Sequence, residues 1–330
     1  MKLVVSGVKP TGIPTLGNYI GALRNFAKLQ REMTDYEFFI FVADMHAITV
    51  PQYPKTLHDN IKNVAALYLA CGLSKDRLNL FLQSEVSAHA ELGYIMQSIG
   101  YMGELERMTQ YKDKARKQET GVSVSLFTYP ALMAADILLY DASFVPVGDD
   151  QKQHLELTRN LAIRFNNRYG ESFKVPEPLI LKEGSRIMDL QDPLKKMEKT
   201  TENPKGCIFL LEPITSIKKK IKSAVTDSDN CVRYNKENKP GISNLMTIYT
   251  SLTDLSYSEI EAKYQDKGYG DFKQDLAEIV ANEVQAIQER YHQIRNSKEL
   301  DDILDQGRQR ATFVANKKIQ KIYKKLGLFR

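Results

Sequence analysis

Leu3-Val4-Val5-Ser6-Gly7-Val8-Lys9-Pro10-Thr11-Gly12-Ile13-Pro14-Thr15-Leu16-Gly17-Asn18 opens with a short apolar run, passes a turn rich in Gly and Pro, and enters a segment with helical apolar spacing. That order is a β-turn-α unit. Two more apolar runs, Phe38-Phe39-Ile40-Phe41-Val42 and Leu78 to Leu82, are short enough for strands buried on both faces. Between them Leu57, Ile61, Val64 and Tyr68 repeat at helical spacing. Strands alternating with helices imply an α/β fold with a doubly wound parallel sheet, Rossmann-like in its right-handed crossovers. After about residue 205 the pattern changes: Phe272, Leu276, Ile279, Val280, Val284, Ile287 and Tyr291 keep one helix face apolar, and no convincing strand run follows. An all-helical second domain is expected. The boundaries are a first domain over 1–188, a polar loop over 189–205, a helical domain over 206–300, and C-terminal helices over 301–330 that pack back on the body.

With 330 residues, 42% hydrophobic and 26% charged, the chain can bury a sizeable core, which excludes disordered and fibrous classes. No apolar run approaches the roughly 18 residues of a membrane span, and Met1-Lys2 leads straight into the first strand without a signal or transit pattern. A soluble cytoplasmic protein with no membrane partner is expected. Cys71, Cys207 and Cys231 are too far apart for a C-x-x-C zinc pattern and draw no disulfide framework; no residue is named as a metal ligand. The net charge of +5 is modest, but lysines cluster at Lys218, Lys219, Lys220 and Lys222 and again at Lys317, Lys318, Lys321, Lys324 and Lys325. Either block is a solvated helix face or a set of phosphate contacts.

Gly7 and Gly12 stand at the Walker A spacing, but Ile13-Pro14 replaces the Lys-Ser/Thr that would hold phosphate and magnesium, and there is no G-x-G-x-x-G. At the start of the next helix, Gly17 leaves bare backbone for a nucleotide ring, while the Thr15 hydroxyl, the Asn18 amide and the helix's positive end suit phosphate oxygens. Farther on, Pro130 fits the first turn of a helix on which Met133, Asp136 and Ile137 share a stripe. An acid on an apolar stripe is either a fortuitously placed cap or surface group, or an acceptor for a substrate.

Thr15-Leu16-Gly17-Asn18 resembles the HIGH signature of the class I aminoacyl-tRNA synthetases in the form used by the bacterial tryptophanyl branch. The likeness continues in order through Ala43-Asp44-Met45-His46-Ala47-Ile48-Thr49, Gly103 to Gln110, Tyr129 to Ile137, Val145 to His154 and Ala224 to Asp229, nearly the whole chain. The second signature, KMSKS, reads Lys196-Met197-Glu198-Lys199-Thr200, inside the polar stretch Asp189 to Asn203 that is the best candidate for a mobile loop. The resemblance implies activation of L-tryptophan by ATP to an adenylate and pyrophosphate, transfer to tRNA(Trp), a homodimer, and Mg2+ carried on the phosphates. It also implies roles for individual residues. Val5, His46, Tyr129, Met133, Asp136, Ile137, Val145, Val147 and Gln151 would hold tryptophan, with Asp136 accepting the indole N–H and Tyr129 and Gln151 holding the amino group. Lys9, Thr15, Gly17, Asn18, Gly148, Asp150, Gln151, Ile187, Lys196, Met197, Lys199 and Thr200 would hold ATP, and Lys114, Lys196 and Lys199 would act in catalysis. His154 would orient the site; His58, His89 and His292 carry no signal.

Three residues depart from the family pattern. By the resemblance, Glu198 would place a carboxylate in a loop expected to close over a triphosphate, Val5 would remove an aromatic wall from the amino-acid pocket, and Lys9 would add positive charge near the nucleotide. Two rival readings follow, a tyrosyl-tRNA synthetase and a catalytically weakened paralogue that binds tRNA or senses tryptophan.

Overall fold

In the computed structural model, which describes residues 2–116, 118, 121–147, 151–180, 186–199 and 203–328, a parallel sheet lies at the centre. Its strands are β1 (Lys2–Val8), β2 (Tyr36–Val42), β3 (Leu78–Leu82), β4 (Phe144–Val147) and β5 (Glu177–Ile180), in the order β3-β2-β1-β4-β5. The first three are the strands expected from the apolar runs. The last two were not expected: each has four residues and carries a proline, Pro146 or Pro178, so neither shows a run or an alternation long enough to read. The chain winds outward from β1 to β3 and then returns to the other side of β1. Between β1 and β4 the strand order reverses, and the carboxyl ends of the strands open a crevice there.

Side chains alternate across the sheet. Val4, Phe38, Ile40, Val42, Leu78 and Leu80 face one apolar cluster, and Val5, Phe39, Phe41, Phe81 and Val145 face the other. Burial on both faces explains why these runs are continuously apolar. The helices are α1 (Leu16–Asn18), continued by a π turn over Tyr19–Leu23 into α2 (Arg24–Glu32), then α3 (Asp44–Ala47) and α4 (Pro54–Ala70). Next come α5 (Ala88–Ile99), α6 (Met102–Glu106), α7 (Thr109–Arg116), α8 (Val124–Leu138) and α9 (Lys152–Tyr169). The rest are α10 (Ile214–Lys222), α11 (Pro240–Thr253), α12 (Tyr257–Lys263), α13 (Tyr269–Arg295) and α14 (Lys298–Leu326). The first cluster runs without a break from the sheet through α2 and α4 into α10 to α13, so the helical half shares its core with one face of the sheet. The second joins α5, α8, α9 and α14 to the opposite face.

Pro130 is not in the first turn of its helix. Ser123 caps α8 by accepting a hydrogen bond from the Leu126 amide at 3.2 Å, and Pro130 sits in the interior. The lysine blocks also divide. Lys218 pairs with Glu278, Lys220 with Glu212, and Lys318 with Asp141; Lys219, Lys222, Lys317, Lys321 and Lys325 are exposed. Cys71 and Cys207 are buried thiols, each pushed up to about 12 chiefly by burial, while Cys231 is exposed. No helix among the described residues is long and apolar enough to cross a membrane.

Helix α14 covers the edge strand β3, whose unpaired backbone would otherwise invite pairing. The approach depends on Gly307, because a Cβ there would stand 1.9 Å from the Leu80 carbonyl oxygen. Gly307→Ala is therefore expected to lift α14 off the strand and lower the free energy of unfolding by about 1–3 kcal/mol. A urea midpoint equal to that of the parent chain would contradict this account of the contact.

Candidate active site

The crevice between β1 and β4 holds a cavity of about 310 Å³. The strand ends contribute Val5, Gly7, Phe41 and Val145, α8 contributes Tyr129, Met133, Asp136 and Ile137, and His46, Lys9, Lys114 and Gln151 complete the wall. Ten of the residues expected to hold substrates therefore meet in one cavity: Val5, Lys9, His46, Lys114, Tyr129, Met133, Asp136, Ile137, Val145 and Gln151.

Asp136 is 2% exposed, which rules out the surface or capping reading. Its Oδ1 accepts from Gln83 Nε2 and from His89 Nδ1, both at 2.7 Å, and its Oδ2 accepts from His46 Nε2 at 2.8 Å. Burial pushes the carboxyl up, but the hydrogen bonds from His46 and His89 outweigh it and hold the group at about 2. A carboxylate offers roughly four acceptor directions, and three are filled. The fourth is available to a donor in the cavity that Asp136 lines. His46 is held in register because Asp44, at the start of α3, accepts from the Met45 amide at 2.9 Å and from the Ser84 amide at 3.0 Å. This ties the short helix to the chain leaving β3.

Tyr129 shares a 2.8 Å hydrogen bond with His154 Nε2, and burial holds its phenol well above the usual range, so it stays neutral. Lys114 Nζ lies 4.5 Å from the centre of the Tyr129 ring. Lys9 donates to Thr49 Oγ1 at 3.3 Å, and burial together with the nearby charge of Lys114 brings its ammonium down to about 8. Two cations sharing a half-buried wall suit a polyanion. Phe41 lines the same cavity beside Val5: a Cβ on Gly7 would lie 2.5 Å from the Phe41 ring, so the ring occupies the space that glycine leaves.

The remaining expected residues form a second group at the start of α1. Thr15 is fully buried, and its hydroxyl accepts from the Asn18 amide at 3.1 Å while Asn18 Oδ1 accepts from the Thr15 amide at 3.0 Å. The Thr15 hydroxyl is thus spent on a capping box rather than offered to a phosphate. Gly17 faces Ile187 and Met197, each 3.5 Å from where its Cβ would be. The segment expected to be a mobile polar loop is an anchored hairpin over its described residues. Met188 bridges Lys196, the Met197 amide donates to the Ile187 carbonyl at 3.0 Å, and the Asn244 side chain holds both backbone groups of Met188 at 2.8 and 3.0 Å. Ile187 and Met197 are buried, Lys196 and Glu198 are exposed, and burial lowers the Lys199 ammonium. Glu198 therefore faces solvent. Neither Lys196 nor Lys199 lines the cavity. Gly148, Asp150, Thr200 and the Val147 side chain lie outside the described residues.

Sequence reasoning missed Gln83, His89, Phe41 and Asn244. The available signal was position: Gln83 directly follows β3 and His89 lies at the start of α5, both in the segment that leaves the carboxyl end of a strand, where α/β sheets place their ligands.

Residues 2–285 match the family described as tRNA synthetases class I (W and Y). The chain is 57% identical over 330 residues to a tryptophan–tRNA ligase of Oceanobacillus iheyensis, covering all of both chains. Its fold is similar to the crystal structure of tryptophanyl-tRNA synthetase from Mycoplasma pneumoniae, with a TM-score of 0.89, 38% identity, and 100% of this chain and 98% of that one covered. It is also similar to the Campylobacter jejuni tryptophanyl-tRNA synthetase complexed with ADP and tryptophan, with a TM-score of 0.84, 36% identity, and 99% and 100% covered.

The lysine pair generates a pH prediction. As pH falls through about 8, Lys9 gains its proton, so a polyanion in the cavity should bind more tightly at pH 7 than at pH 9. Calorimetric titration with pyrophosphate should show that gain in the parent chain and lose most of it in Lys9→Gln; an unchanged pH slope in the variant would remove Lys9 from the anion site.

Proposed function

The chain belongs to the class I tRNA synthetases for tryptophan and tyrosine, among the tryptophan–tRNA ligases, and from that membership we propose how its residues carry the reaction. The enzyme activates tryptophan with ATP and transfers it to tRNA. Full-length relatives at 54–57% identity are tryptophan–tRNA ligases, which leaves the tyrosyl and weakened-paralogue readings without support. The observation that carries the residue assignment is the Asp136 carboxylate, charged, held by three protein donors, and facing the cavity. It accepts the indole N–H, while Met133, Ile137, Val145 and Phe41 enclose the ring. Phenylalanine has no donor to offer there, and binding it would leave a buried charge short of a partner. Tyr129 and Gln151, which line the same cavity, hold the amino group in this reading.

The tryptophan carboxylate attacks the α-phosphorus of ATP; the new O–P bond forms as the bond to pyrophosphate breaks. A carboxylate is already a nucleophile at neutral pH, so no general base is required, and the rate comes from alignment and from neutralising charge on the leaving group. Lys9 and Lys114 serve that purpose in the cavity. Lys196 and Lys199 would join them when the hairpin closes, with Ile187 and Met197 meeting adenine through their backbone beside Gly17. Asp136 is the one carboxylate among the described lining residues, three of its acceptor directions are taken and the fourth is given to the indole, which fits magnesium entering on the phosphates. When bound, the ion further neutralises the triphosphate.

Residues 1–188 are the catalytic domain in this reading, and 206–300 the anticodon-binding domain, with 189–205 as the closing loop. The lysines assigned to tRNA phosphates are exposed ones, Lys219 and Lys222 of α10 and Lys317, Lys321 and Lys325 of α14. The working unit is a homodimer; Tyr94, Tyr101 and Met102, exposed by 73, 63 and 65%, are consistent with a covered apolar face. The enzyme acts in the cytoplasm.

ATP–pyrophosphate exchange with tryptophan, tyrosine and phenylalanine tests the reading. Strong exchange with tryptophan alone is expected, and none with any of them would refute it. Lys199→Ala should slow adenylate formation by roughly a hundredfold or more while leaving tryptophan affinity nearly intact, since a phosphate contact made only in the transition state acts on rate. Equal loss in both would argue against a role in closure.

A further inference from the structure

His89 has no place in the chemistry above, yet it is completely buried and polar at both ends. Its Nδ1 lies 2.7 Å from Asp136 Oδ1 and its Nε2 lies 2.8 Å from the hydroxyl of Tyr140, which is 1% exposed. An ionised carboxylate can only accept, so Nδ1 carries the proton. The ring is also boxed in by aromatic neighbours, with centroids at 5.5 Å from Phe41, 5.5 Å from Tyr140 and 5.9 Å from Phe81. A histidine tethered at both nitrogens and hemmed in by three tilted rings cannot follow a moving carboxylate; the carboxylate must stay with it. Gln83 adds a second donor to the same oxygen.

We propose that His89 is a specificity-determining positioning residue: by pinning Asp136 Oδ1 from behind, it aims the remaining acceptor direction of the carboxylate at the position of the indole N–H. This rests on the reading of Asp136 as the indole acceptor. His89 touches no substrate and acts through the orientation of Asp136 alone. Its removal therefore weakens ligands in proportion to their use of that one hydrogen bond. Packing lost at His89 would instead be felt by every ligand of the same shape.

The test compares tryptophan with its benzothienyl analogue, in which sulfur replaces the indole N–H, by equilibrium binding at pH 8 to the full-length protein. His89→Phe keeps an aromatic ring and removes the donor. It is expected to weaken tryptophan about tenfold, as loss of a hydrogen bond to a charged group does, and to change the analogue by less than about twofold. His89→Asn, which returns a donor near Nδ1, should recover most of the tryptophan affinity. If His89→Phe does not fold, Tyr140→Phe frees one end of the same ring, and about a threefold selective loss of tryptophan is expected. Equal loss of both ligands, or no loss of tryptophan, would overturn the proposal. Asp136→Asn is the control: if it too treats the two ligands alike, Asp136 is not the indole acceptor, and the reading and the proposal fall together. If it discriminates while the His89 and Tyr140 variants do not, only the proposal fails.

Discussion

A carboxylate with 2% of its surface exposed must recover from the protein what it lost from water, and Asp136 does so through three short hydrogen bonds to Gln83, His46 and His89. The four residues come from four places: the end of β3, the start of α5, the short helix α3 and the middle of α8. Bringing them together requires the parallel sheet, since only the carboxyl ends of neighbouring strands deliver β3 and the chain after β2 to the same rim. It also requires Asp44, which fastens α3 to Ser84. The sheet half thus holds one negative charge ionised at the wall of a cavity with one acceptor direction left over. Removing a single partner from such a cluster costs far more than a surface ion pair would suggest.

The positive end of the cavity follows a different logic. Lys9 and Lys114 repel each other when the site is free, and burial adds to the penalty on Lys9, so a polyanion relieves both terms at once. The second lysine pair, Lys196 and Lys199, is held on a hairpin anchored by Asn244 of α11 and packed against Gly17. The hairpin thus joins the helical half to the start of α1. Close backbone approaches bound the arrangement: a Cβ on Gly7 would collide with the Phe41 ring, and one on Gly206 would stand 1.9 Å from Asp189 Oδ1. These glycines are set by space.

Sequence patterns revealed those parts of the structure whose physics is local. Phe38 to Val42 and Leu78 to Leu82 stand out because strands buried on both faces must be apolar throughout, and the α4 and α13 faces stand out because amphipathic helices repeat. β4 and β5 escape because four-residue strands containing proline carry no period. The start of α8 was misplaced because Pro130 suits a first turn, whereas the Ser123 cap lies one helical stretch earlier. Most of the cavity was legible through short motifs in order. His89 and Gln83 were not, because their importance arises from contacts with Asp136 about fifty residues away in sequence, at separations of 47 and 53. Phe41 was hidden by its own strand, where one more aromatic residue looks like core.

A crystal structure of the protein with tryptophan bound would decide the role of Asp136. The indole nitrogen is expected within about 3 Å of an Asp136 carboxylate oxygen, with the hydrogen bonds from Gln83 and His89 intact. An indole nitrogen turned toward another wall of the cavity, with Asp136 out of hydrogen-bond reach, would contradict that role.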